Sequence, residues 1–485
     1  MVPLKNLGQI LTVKIYLQLL CYINRSRSIM IGGVITGDRL AALQKQEEEL
    51  FVKLHPKSQE ISTTLLKSNW LGGVPMPWMN RLPGSFPLTV DDANGAHFTD
   101  ADNITYTDFC LGDTGAMTGH AVPEVAEAVS ERVRRGITTM MPSSDAAYVS
   151  SELSRRFGLP LWQMAMTATD ANRFVLRYAR YITKKPKIVV MDWCYHGTVD
   201  ETLAVLNENG EIVPRPGAIG PQCDVNITTR VAHFNDITSL ENCFKNNDCA
   251  CLLMEPALTN IGIVLPIDGY LVQVKELCVK YNVLLIIDET HTICCSPGGC
   301  TASWKLQPDF LVIGKPIGGG MPAAAYGMTQ AVADKLKQHL MDDSVDVSGV
   351  GGTLTGNALA LAAVKATLSS TLRDEDYAYM IPLATAWTNG VNNTIKEFNL
   401  PWNVQQLGCR SEYWFCPPPI NGAQAAATSF HELETYLHLF CLNRGILLTP
   451  FHNMALFSPQ HTIEDVDKHT KVFREGVISL VEAMK

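Results

Sequence analysis

Short, fully apolar runs recur through the middle of the chain, and longer stretches with helical spacing separate them. Four of these runs are rich in aliphatic residues and cover positions 188–191, 251–254, 284–287 and 310–313. Runs that are apolar at every position are typical of strands in a parallel sheet that helices cover on both faces. With helices predicted at 171–181 and 268–281, the pattern predicts a doubly wound α/β domain. Such domains bind ligands at the carboxyl ends of their strands.

The segments before and after this domain have other patterns. Residues 38–53 have the spacing of an amphipathic helix, and residues 95–110 alternate like a β-hairpin. Between them, residues 70–87 form a loop rich in Trp, Pro and Met that suits a pocket wall. A helix is predicted at 123–135. After residue 353, a helix of small residues leads into helices and short strands, which indicate a smaller α+β unit.

We therefore expect a large doubly wound, mostly parallel sheet domain and a smaller α+β domain built from both ends of the chain. The predicted boundaries are an N-terminal extension at 1–29, the N-terminal part of the small domain with the pocket loop at 30–110, the large domain at 111–355, and the C-terminal small domain at 356–485.

The extension is the unusual part of the chain. Residues 10–23 are mostly apolar, but Lys14 interrupts them and the run is too short for a good membrane span. A weak signal peptide and an amphipathic targeting helix are alternatives. We favour a third interpretation, in which Met30 is the natural start and residues 1–29 are foreign to the fold.

Composition narrows the range of partners. The 485 residues carry a formal net charge of −9, so there is no basic excess to neutralise nucleic-acid phosphates. The 14 cysteines are scattered, without a CxxC pair or histidines at the spacing of a zinc site. We therefore expect buried, reduced thiols, no metal site, no nucleic-acid or membrane partner, and a cytoplasmic location.

Two of the apolar runs end in residues that can carry chemistry. The run LLIIDET ends in Asp288 and Glu289, and FLVIGKPIGGGMP places Lys315 directly after a strand. A poorly solvated lysine becomes nucleophilic toward a carbonyl, and the glycines let the backbone pass close to a bulky ligand. Taken alone, the carboxylates could instead cap the next helix, and Lys315 could lie in a flexible surface turn.

Further motifs follow other predicted strands. In MTATDA, Thr167 and Thr169 precede a helix whose N–H groups and dipole favour a bound phosphate. In WCYHG, Tyr195 and His196 can stack on a flat ring, and GGTLTGN is a second hydroxyl-bearing loop before a helix. An anion site, an aromatic plate, a carboxylate and a lysine on successive strand ends together fit pyridoxal phosphate (PLP), a phosphorylated pyridine aldehyde.

The order and spacing of these blocks resemble class III (ω-) aminotransferases of PLP fold type I, close to the glutamate-1-semialdehyde aminomutase branch. The blocks are TATDA, CYHG, MEP, DET, GKPIGGGMP and GGTLTGN, and the resemblance runs from about residue 83 to residue 355. Asp288 and Lys315 lie 27 residues apart, as the family pattern requires. Two details depart from it: the phosphate loop is Thr-Ala-Thr-Asp instead of Ser-Gly-Thr-Glu, and Thr290 and His291 follow the Asp-Glu pair.

The resemblance implies a role for each matching residue around the ring. Lys315 would be the Schiff-base lysine and the base that moves the substrate proton, and Asp288 would pair with the pyridine nitrogen. Tyr195 would stack on the ring with His196 beside it. Glu255 would lie near the phenolic side of the cofactor.

The resemblance also implies how the phosphate is held. Thr167, Ala168 and Thr169 would supply hydroxyl and backbone donors, and Thr353 would reach the phosphate of the neighbouring subunit. The family pattern therefore implies a homodimer with shared active sites.

The substrate side departs from the family pattern. Members that act on carboxylates often place an arginine in a short segment after a proline, but the corresponding residues 449–454 contain none. Arg410 and Arg81 remain candidates, and a structural salt bridge is the alternative for Arg410.

Aromatic residues indicate the kind of substrate. Trp78, Phe451 and the run at 413–415 fall near the predicted pocket, although core packing is the default for any one of them. We predict an aminotransferase that moves an amino group between a primary amine or β-amino acid, with a bulky or aryl group, and a small keto acid such as pyruvate. The alternative is an aminomutase of the glutamate-1-semialdehyde type, which acts within one molecule. Intact Lys315 and Asp288 disfavour a non-catalytic relative.

Overall fold

The computed structural model describes residues 37–219, 224–340 and 348–483. The extension predicted at 1–29 lies outside the described residues. The helices are α1 Gly37–Leu54, α2 Pro56–Leu66, α3 Pro123–Arg134, α4 Asp145–Phe157, α5 Ala168–Thr183, α6 Val225–Thr228, α7 Ile237–Phe244, α8 Tyr270–Lys280, α9 Gly299–Ser303, α10 Gln330–Leu340, α11 Ala358–Ser370, α12 Asp374–Glu397, α13 Gly422–Ala427, α14 His431–Leu442 and α15 Ile463–Ala483. The strands are β1 Val90–Asn94, β2 His97–Asp100, β3 Thr105–Asp108, β4 Leu161–Ala165, β5 Lys187–Met191, β6 Ala204–Leu206, β7 Ile212–Pro214, β8 Thr229–Ala232, β9 Cys249–Met254, β10 Leu284–Asp288, β11 Phe310–Ile313, β12 Ala324–Met328, β13 Asn403–Leu407, β14 Arg410–Trp414, β15 Ile446–Leu447 and β16 Met454–Leu456.

Seven strands form the central sheet, in the order β4-β12-β11-β10-β9-β5-β8. The strands from β11 to β8 run parallel, and β12 pairs antiparallel with β11 and β4. Every residue of β9 and β11 is buried, which explains why their sequences show no alternation of polar and apolar positions. The four strands predicted from the apolar runs are confirmed as β5, β9, β10 and β11.

Helices cover this sheet and divide the apolar core into two large clusters. In one, Val175 of α5 packs in the same cluster as Leu253 of β9. In the other, Leu311 of β11 joins Val364 of α11 and Trp387 of α12. The helices predicted at 171–181 and 268–281 are confirmed as α5 and α8, and together with the sheet they show the doubly wound α/β architecture of PLP fold type I.

Both ends of the described chain contribute to smaller sheets. The order β1-β2-β3-β15 brings Ile446–Leu447 parallel to β3, and β13-β14-β16 forms a separate antiparallel sheet. The predicted hairpin is confirmed as β2 and β3, and the predicted helices at 38–53 and 123–135 as α1 and α3. The exact domain boundaries stay predictions.

The cysteines are distributed through the interior. All twelve that the structure describes have free thiols, and every one except the partly exposed Cys295 is buried. Their predicted burial is therefore confirmed for these positions. Within the described ranges, no helix combines the length and the hydropathy needed to cross a membrane.

Candidate active site

A cavity of about 860 Å³ opens at the carboxyl ends of the parallel strands. Asp288, at the end of β10, and Lys315, after β11, both line it. The other walls come from distant parts of the chain: the loop at 76–82, the segment at 108–120 that follows β3, and residues 447–451 after β15. The doubly wound sheet thus places its cavity where such sheets bind ligands.

Lys315 projects into this cavity from a 3-10 turn, Lys315–Gly318, directly after β11. Its backbone is left-handed, with a φ of 49°, which is uncommon for a residue other than glycine. Its Nζ lies 2.6 Å from Asp113 Oδ2 and also contacts His291 Nε2. These contacts exclude the alternative of a lysine in a flexible surface turn.

Asp288 lies across the cavity as a buried carboxylate. Its Oδ2 accepts a hydrogen bond from Asn172 Nδ2 and pairs with His196 Nδ1, each at 2.9 Å, and Oδ1 accepts one from the Thr290 N–H at 3.0 Å. Burial opposes ionisation, but the hydrogen bond and charge of His196, with the other donors, lower the pKa of Asp288 to about 2. Asp288 therefore stays negatively charged at neutral pH, as a partner of a protonated ring nitrogen must.

Glu289, by contrast, turns away from the cavity. It accepts hydrogen bonds from Thr292 Oγ1, from the Cys300 N–H and from both the N–H and the hydroxyl of Thr301. The last two residues lie in α9, so Glu289 caps this short helix. The capping alternative from the sequence thus holds for Glu289 and not for Asp288.

The N-terminus of α5 forms one end of the cavity. Thr167 is its N-cap, and its Oγ1 accepts a hydrogen bond from the Asp170 N–H at 3.1 Å. The hydroxyl of Thr169 accepts one from the Thr198 N–H at 3.1 Å, which ties the helix start to the loop after β5. Free N–H groups and the helix dipole make this end a site for an anion. The cavity residues here are Met166, Thr167, Ala168 and Thr169.

Aromatic side chains surround the mouth of the cavity. The rings of Trp78 and Tyr195 have centroids 6.2 Å apart, and Trp78 meets Phe451 edge-on at 5.8 Å. All three residues line the cavity. Trp78 and Phe451 remain 45% and 43% exposed, so they form a partly open apolar rim and not a sealed core.

A network of hydrogen-bonded side chains lies behind Lys315. Glu255 and Thr259 share a short hydrogen bond, Thr259 Oγ1 lies 3.1 Å from His291 Nδ1, and His291 Nε2 contacts the lysine. Arg410 Nη1 approaches the same His291 Nδ1 at 3.1 Å, and its Nη2 donates to the Thr259 carbonyl at 2.6 Å.

Burial shifts the pKa values of two residues in this network, Glu255 and His291. Burial raises the pKa of Glu255 to about 7, although His196 and Thr259 act in the opposite direction. Burial, reinforced by the charge of Lys315, lowers the pKa of His291 well below its usual value. His291 is therefore neutral at physiological pH.

Several predicted site residues lie outside the cavity. Arg410 is fully buried behind His291, and its role as a carboxylate clamp stays a prediction that these internal contacts do not favour. Arg81 and Thr353 are also absent from the cavity lining, and both are exposed. The aromatic run at 413–415 packs in the core and not around the pocket, because β14 is buried at every position.

Three residues that contact the lysine or its neighbours had no role predicted from the sequence. Asp113 and His291 touch Lys315 directly, and Thr259 links His291 to Glu255. The glycine-rich segment LGDTGAMTGH around Asp113 is typical of a turn, and this pattern could have identified Asp113 as a candidate. Its proximity to Lys315 depends on the packing of β3 against the sheet domain.

The cavity fits PLP. Lys315 offers the amine, Asp288 the anion for the ring nitrogen, and α5 the donors for the phosphate. Five residues that line the cavity also keep a buried polar atom without a hydrogen-bond partner among the described residues, namely Asp113 Oδ1, His196 Nε2, Glu255 Oε1, Thr290 Oγ1 and Thr449 Oγ1. Unpaired polar atoms in such numbers are expected where a polar ligand binds.

Similarity to known proteins shows which family the chain belongs to. The sequence model of the family described as aminotransferase class-III matches residues 79–408. The chain belongs to this family. Class III aminotransferases use PLP, so PLP is the cofactor and fold type I the architecture of this class III enzyme.

The most similar relatives include several aminomutases. The glutamate-1-semialdehyde 2,1-aminomutase of Desulfitobacterium hafniense (strain Y51) is 31% identical over 406 residues, which cover 82% of this chain and 92% of that protein. The solved structure of a glutamate-1-semialdehyde-aminomutase from Pseudomonas aeruginosa PAO1 is 43% identical, covers 92% of this chain and 99% of that chain, and has a TM-score of 0.90. A variant of that protein with a lysine replaced by alanine was solved in complex with PMP.

An ω-transaminase from Sphaerobacter thermophilus matches in fold alone, at 22% identity and a TM-score of 0.79 over 88% of this class III chain and 98% of that chain. The predicted transfer between a bulky or aryl amine and a keto acid was therefore wrong. Relatives that are 31% and 43% identical are named as aminomutases, and they favour the alternative.

Proposed function

We propose that this protein is a PLP-dependent aminomutase, which moves an amino group between neighbouring carbons of one amino-carbonyl compound. The observation that carries the proposal is the 43% identity to a solved glutamate-1-semialdehyde-aminomutase, over 92% of this chain at a TM-score of 0.90. The arrangement of Lys315, Asp288 and the α5 N-terminus supports the same chemistry.

The residues of the cavity have separate roles in the proposed reaction. Bound PLP supplies a carbonyl that takes up an amino group and a ring that accepts electrons from the substrate. Lys315 holds the cofactor and moves a proton at its Nζ, which Asp113 and His291 position from two sides. Asp288 keeps the ring nitrogen protonated, and α5 orients the phosphate. The rim of Trp78, Tyr195 and Phe451 limits access of water.

We also propose that the protein works as a homodimer with shared sites. Thr353 is exposed, as a residue that reaches into a neighbouring subunit must be in the isolated chain. Apolar side chains are exposed on the same part of the surface: Met140 and Met141 are 80% and 70% exposed, and Leu354 is 51% exposed. The Ala358 N–H bonds to the Ile137 carbonyl at 3.0 Å, which holds these two segments together. Apolar patches of this kind mark subunit contacts.

The test is an assay without a second substrate. Purified protein is incubated with PLP and glutamate-1-semialdehyde in the absence of any keto acid, and the isomeric amino acid is measured. We expect the isomer to form with wild-type protein, to be absent with Lys315→Ala, and to form normally with Lys335→Ala, which removes an exposed lysine of α10. Product that forms only after a keto acid is added would reject the aminomutase proposal.

The covalent role of Lys315 has its own measurement. Borohydride reduction of the PLP-loaded protein, followed by peptide mass spectrometry, should place the cofactor on Lys315. Label on another lysine, or on none, contradicts the role proposed for this residue.

A further inference from the structure

A cluster of four cysteines lies outside the cavity, next to the segment that follows β10. Cys294 and Cys295 belong to a 3-10 turn, Cys300 lies in α9, and Cys409 precedes β14 and donates its N–H to the Cys294 carbonyl at 2.9 Å. None of the four is among the described residues that line the cavity. Among the described residues, no group of cysteine, histidine and carboxylate side chains is arranged to hold a metal ion, so the cluster consists of free thiols.

Two thiols of this cluster, those of Cys295 and Cys300, interact directly. The Cys300 thiol donates a hydrogen bond to Cys295 Sγ. The short segment between them is closed by two hydrogen bonds, from the Gly299 N–H to the Ser296 carbonyl at 2.9 Å and from the Ser296 hydroxyl to the Gly299 carbonyl at 2.7 Å. The structure therefore holds together two sulfurs that a disulfide could join.

The two thiols differ in reactivity. The hydrogen bond from Cys300 lowers the pKa of Cys295, although burial acts in the opposite direction, whereas burial raises the pKa of Cys300 well above its usual value. Cys295 is also partly exposed, while Cys294, Cys300 and Cys409 are fully buried. Because the thiolate is the nucleophile, Cys295 is the member of the cluster that can attack an oxidant arriving from solvent.

The turn that carries Cys295 is connected to the active site. It begins directly after His291, whose Nε2 contacts Lys315, and the Cys294 N–H donates to the His291 carbonyl at 3.2 Å. On the other side, the Cys300 N–H donates to the buried Glu289 at 3.1 Å. Hydrogen bonds thus connect both cysteine segments to the residues that follow β10, and drawing the two sulfurs together must shift His291.

We propose that Cys295 and Cys300 form an oxidation site for hydroperoxides, and that the resulting disulfide shifts His291 and weakens the binding of PLP. His291 contacts the lysine that holds the cofactor, so its displacement changes the position of that lysine. The inference goes beyond the proposed function and does not depend on which amino group is moved.

The oxidation proceeds in two steps. The Cys295 thiolate attacks one oxygen of the peroxide and the O–O bond breaks, which gives a sulfenic acid on Cys295 and, after proton uptake, one water or alcohol. Cys300 then attacks the Cys295 sulfur, the S–S bond forms, and the sulfenic hydroxyl leaves as water. The two thiols lose two electrons in total, and the peroxide gains them. A thiol reductant reverses the change.

Oxidation of the PLP-loaded protein with equimolar hydrogen peroxide tests the proposal. Digestion in acid without reductant, followed by peptide mass spectrometry, should yield a product in which Cys295 and Cys300 are joined. Equilibrium dialysis of the oxidised protein should give a Kd for PLP that is raised by about threefold or more. Dithiothreitol should return both the peptides and the Kd to those of the untreated protein.

Three variants assign the parts. Cys295→Ser should form no disulfide and keep its Kd for PLP after peroxide. Cys300→Ser lacks the second thiol, so Cys295 should instead be oxidised further to a sulfinic acid, which dithiothreitol does not reverse. Cys416→Ser, which removes a buried thiol outside the cluster, should respond as wild type.

The proposal is overturned by wild-type protein in which peroxide does not join Cys295 to Cys300, a result that needs no variant. It is also overturned by a disulfide that leaves the Kd for PLP unchanged, or by a Cys295→Ser protein that loses PLP affinity after peroxide as wild type does. Thermal unfolding of each variant establishes whether it is folded. Neither readout uses turnover, so the result is independent of the aminomutase assay.

Discussion

His291 connects the reactive lysine to the arginine buried behind it. A guanidinium can only donate, so the 3.1 Å approach of Arg410 Nη1 makes His291 Nδ1 an acceptor. Arg410 thus acts on the lysine through His291, as a positioning residue.

Replacement of His291 tests this interpretation. His291→Leu leaves Arg410 and Thr259 with one partner fewer in a buried place, so we expect the free energy of unfolding to fall by about 1–3 kcal/mol. His291→Gln keeps an acceptor and a donor and should lose less. Urea unfolding measures both, with His431→Leu, at an exposed histidine, as the control. Equal losses for Leu and Gln would show that packing, and not hydrogen bonding, is what His291 contributes.

The sequence predicts some of these residues and not others, for a physical reason. Lys315 and Asp288 follow apolar strands of the same sheet, so local patterns bring them to one edge. Asp113 and Lys315 are 202 residues apart, and their contact depends on how β3 and its turn pack against the sheet domain. Arg410 was a candidate for the pocket, and its complete burial behind His291 depends on neighbouring helices, which a strand pattern cannot reveal.

Among the elements, the start of α5 and the loop after β5 form one unit. The Thr198 N–H donates to Thr169 Oγ1, and Gly197 lies so close to Thr169 that a Cβ at this position would overlap its hydroxyl. The glycine has a φ of 80°, so its conformation and the contact both favour this residue. The position of the proposed phosphate donors therefore depends on a glycine in another segment.

Gly197→Ala should displace the phosphate donors. We expect the Kd for PLP to rise by about tenfold or more, because Thr169 must move. Gly210→Ala is a matched control: it has a similar φ of 75° and nothing within 4 Å of an added Cβ. Fluorescence titration of the cofactor-free proteins gives both values. If the two variants bind PLP equally, backbone strain and not the contact with Thr169 would explain any loss.

The sequence pattern predicts some strands of the central sheet and not others. The apolar strands β5, β9, β10 and β11 were predicted because they are continuous and buried. The antiparallel strand β12 was not, since its sequence AAYGM has small residues that fit many structures. Gly327 in β12 lies under the ring of Trp162, and this contact leaves no room for a Cβ at position 327. The residues next to Gly327 in the sequence do not reveal this contact.

At the scale of the whole molecule, the exposed apolar surface around Met141 should be a subunit contact. We expect wild-type protein to sediment as a dimer and Met141→Asp to shift it toward monomer, with loss of bound PLP as the proposed contribution of Thr353 is removed. Val279→Asp places the same charge at a position of α8 that is also exposed and should remain dimeric. A Met141→Asp protein that stays dimeric and keeps its cofactor would refute this location of the interface.

The overall stability should depend on a buried histidine. His469 is fully buried among aromatic rings, and neither ring nitrogen has a hydrogen-bond partner among the described residues. Burial, with the charge of His438, lowers its pKa from 6.5 to about 3. The unfolded chain therefore binds a proton that the folded protein excludes, and stability falls as the pH decreases from 6.5 toward 3.

His469→Phe should weaken this dependence. Between pH 7 and pH 5, we expect the free energy of unfolding of wild-type protein to fall by about 2 kcal/mol more than that of the variant. Urea unfolding at the two pH values gives the comparison, and His431→Phe, at an exposed position, should behave as wild type. Parallel losses in wild type and His469→Phe would assign the acid sensitivity to other groups.

The interior cysteines give the folded protein a set of natural reporters. Because every described thiol except that of Cys295 is buried, an alkylating reagent can reach the others only when the surrounding structure opens. The rate at which each of them is labelled, read by mass spectrometry, would then rank strands and helices by how often they separate. These labelling rates would report local opening of the folded protein without any engineered probe.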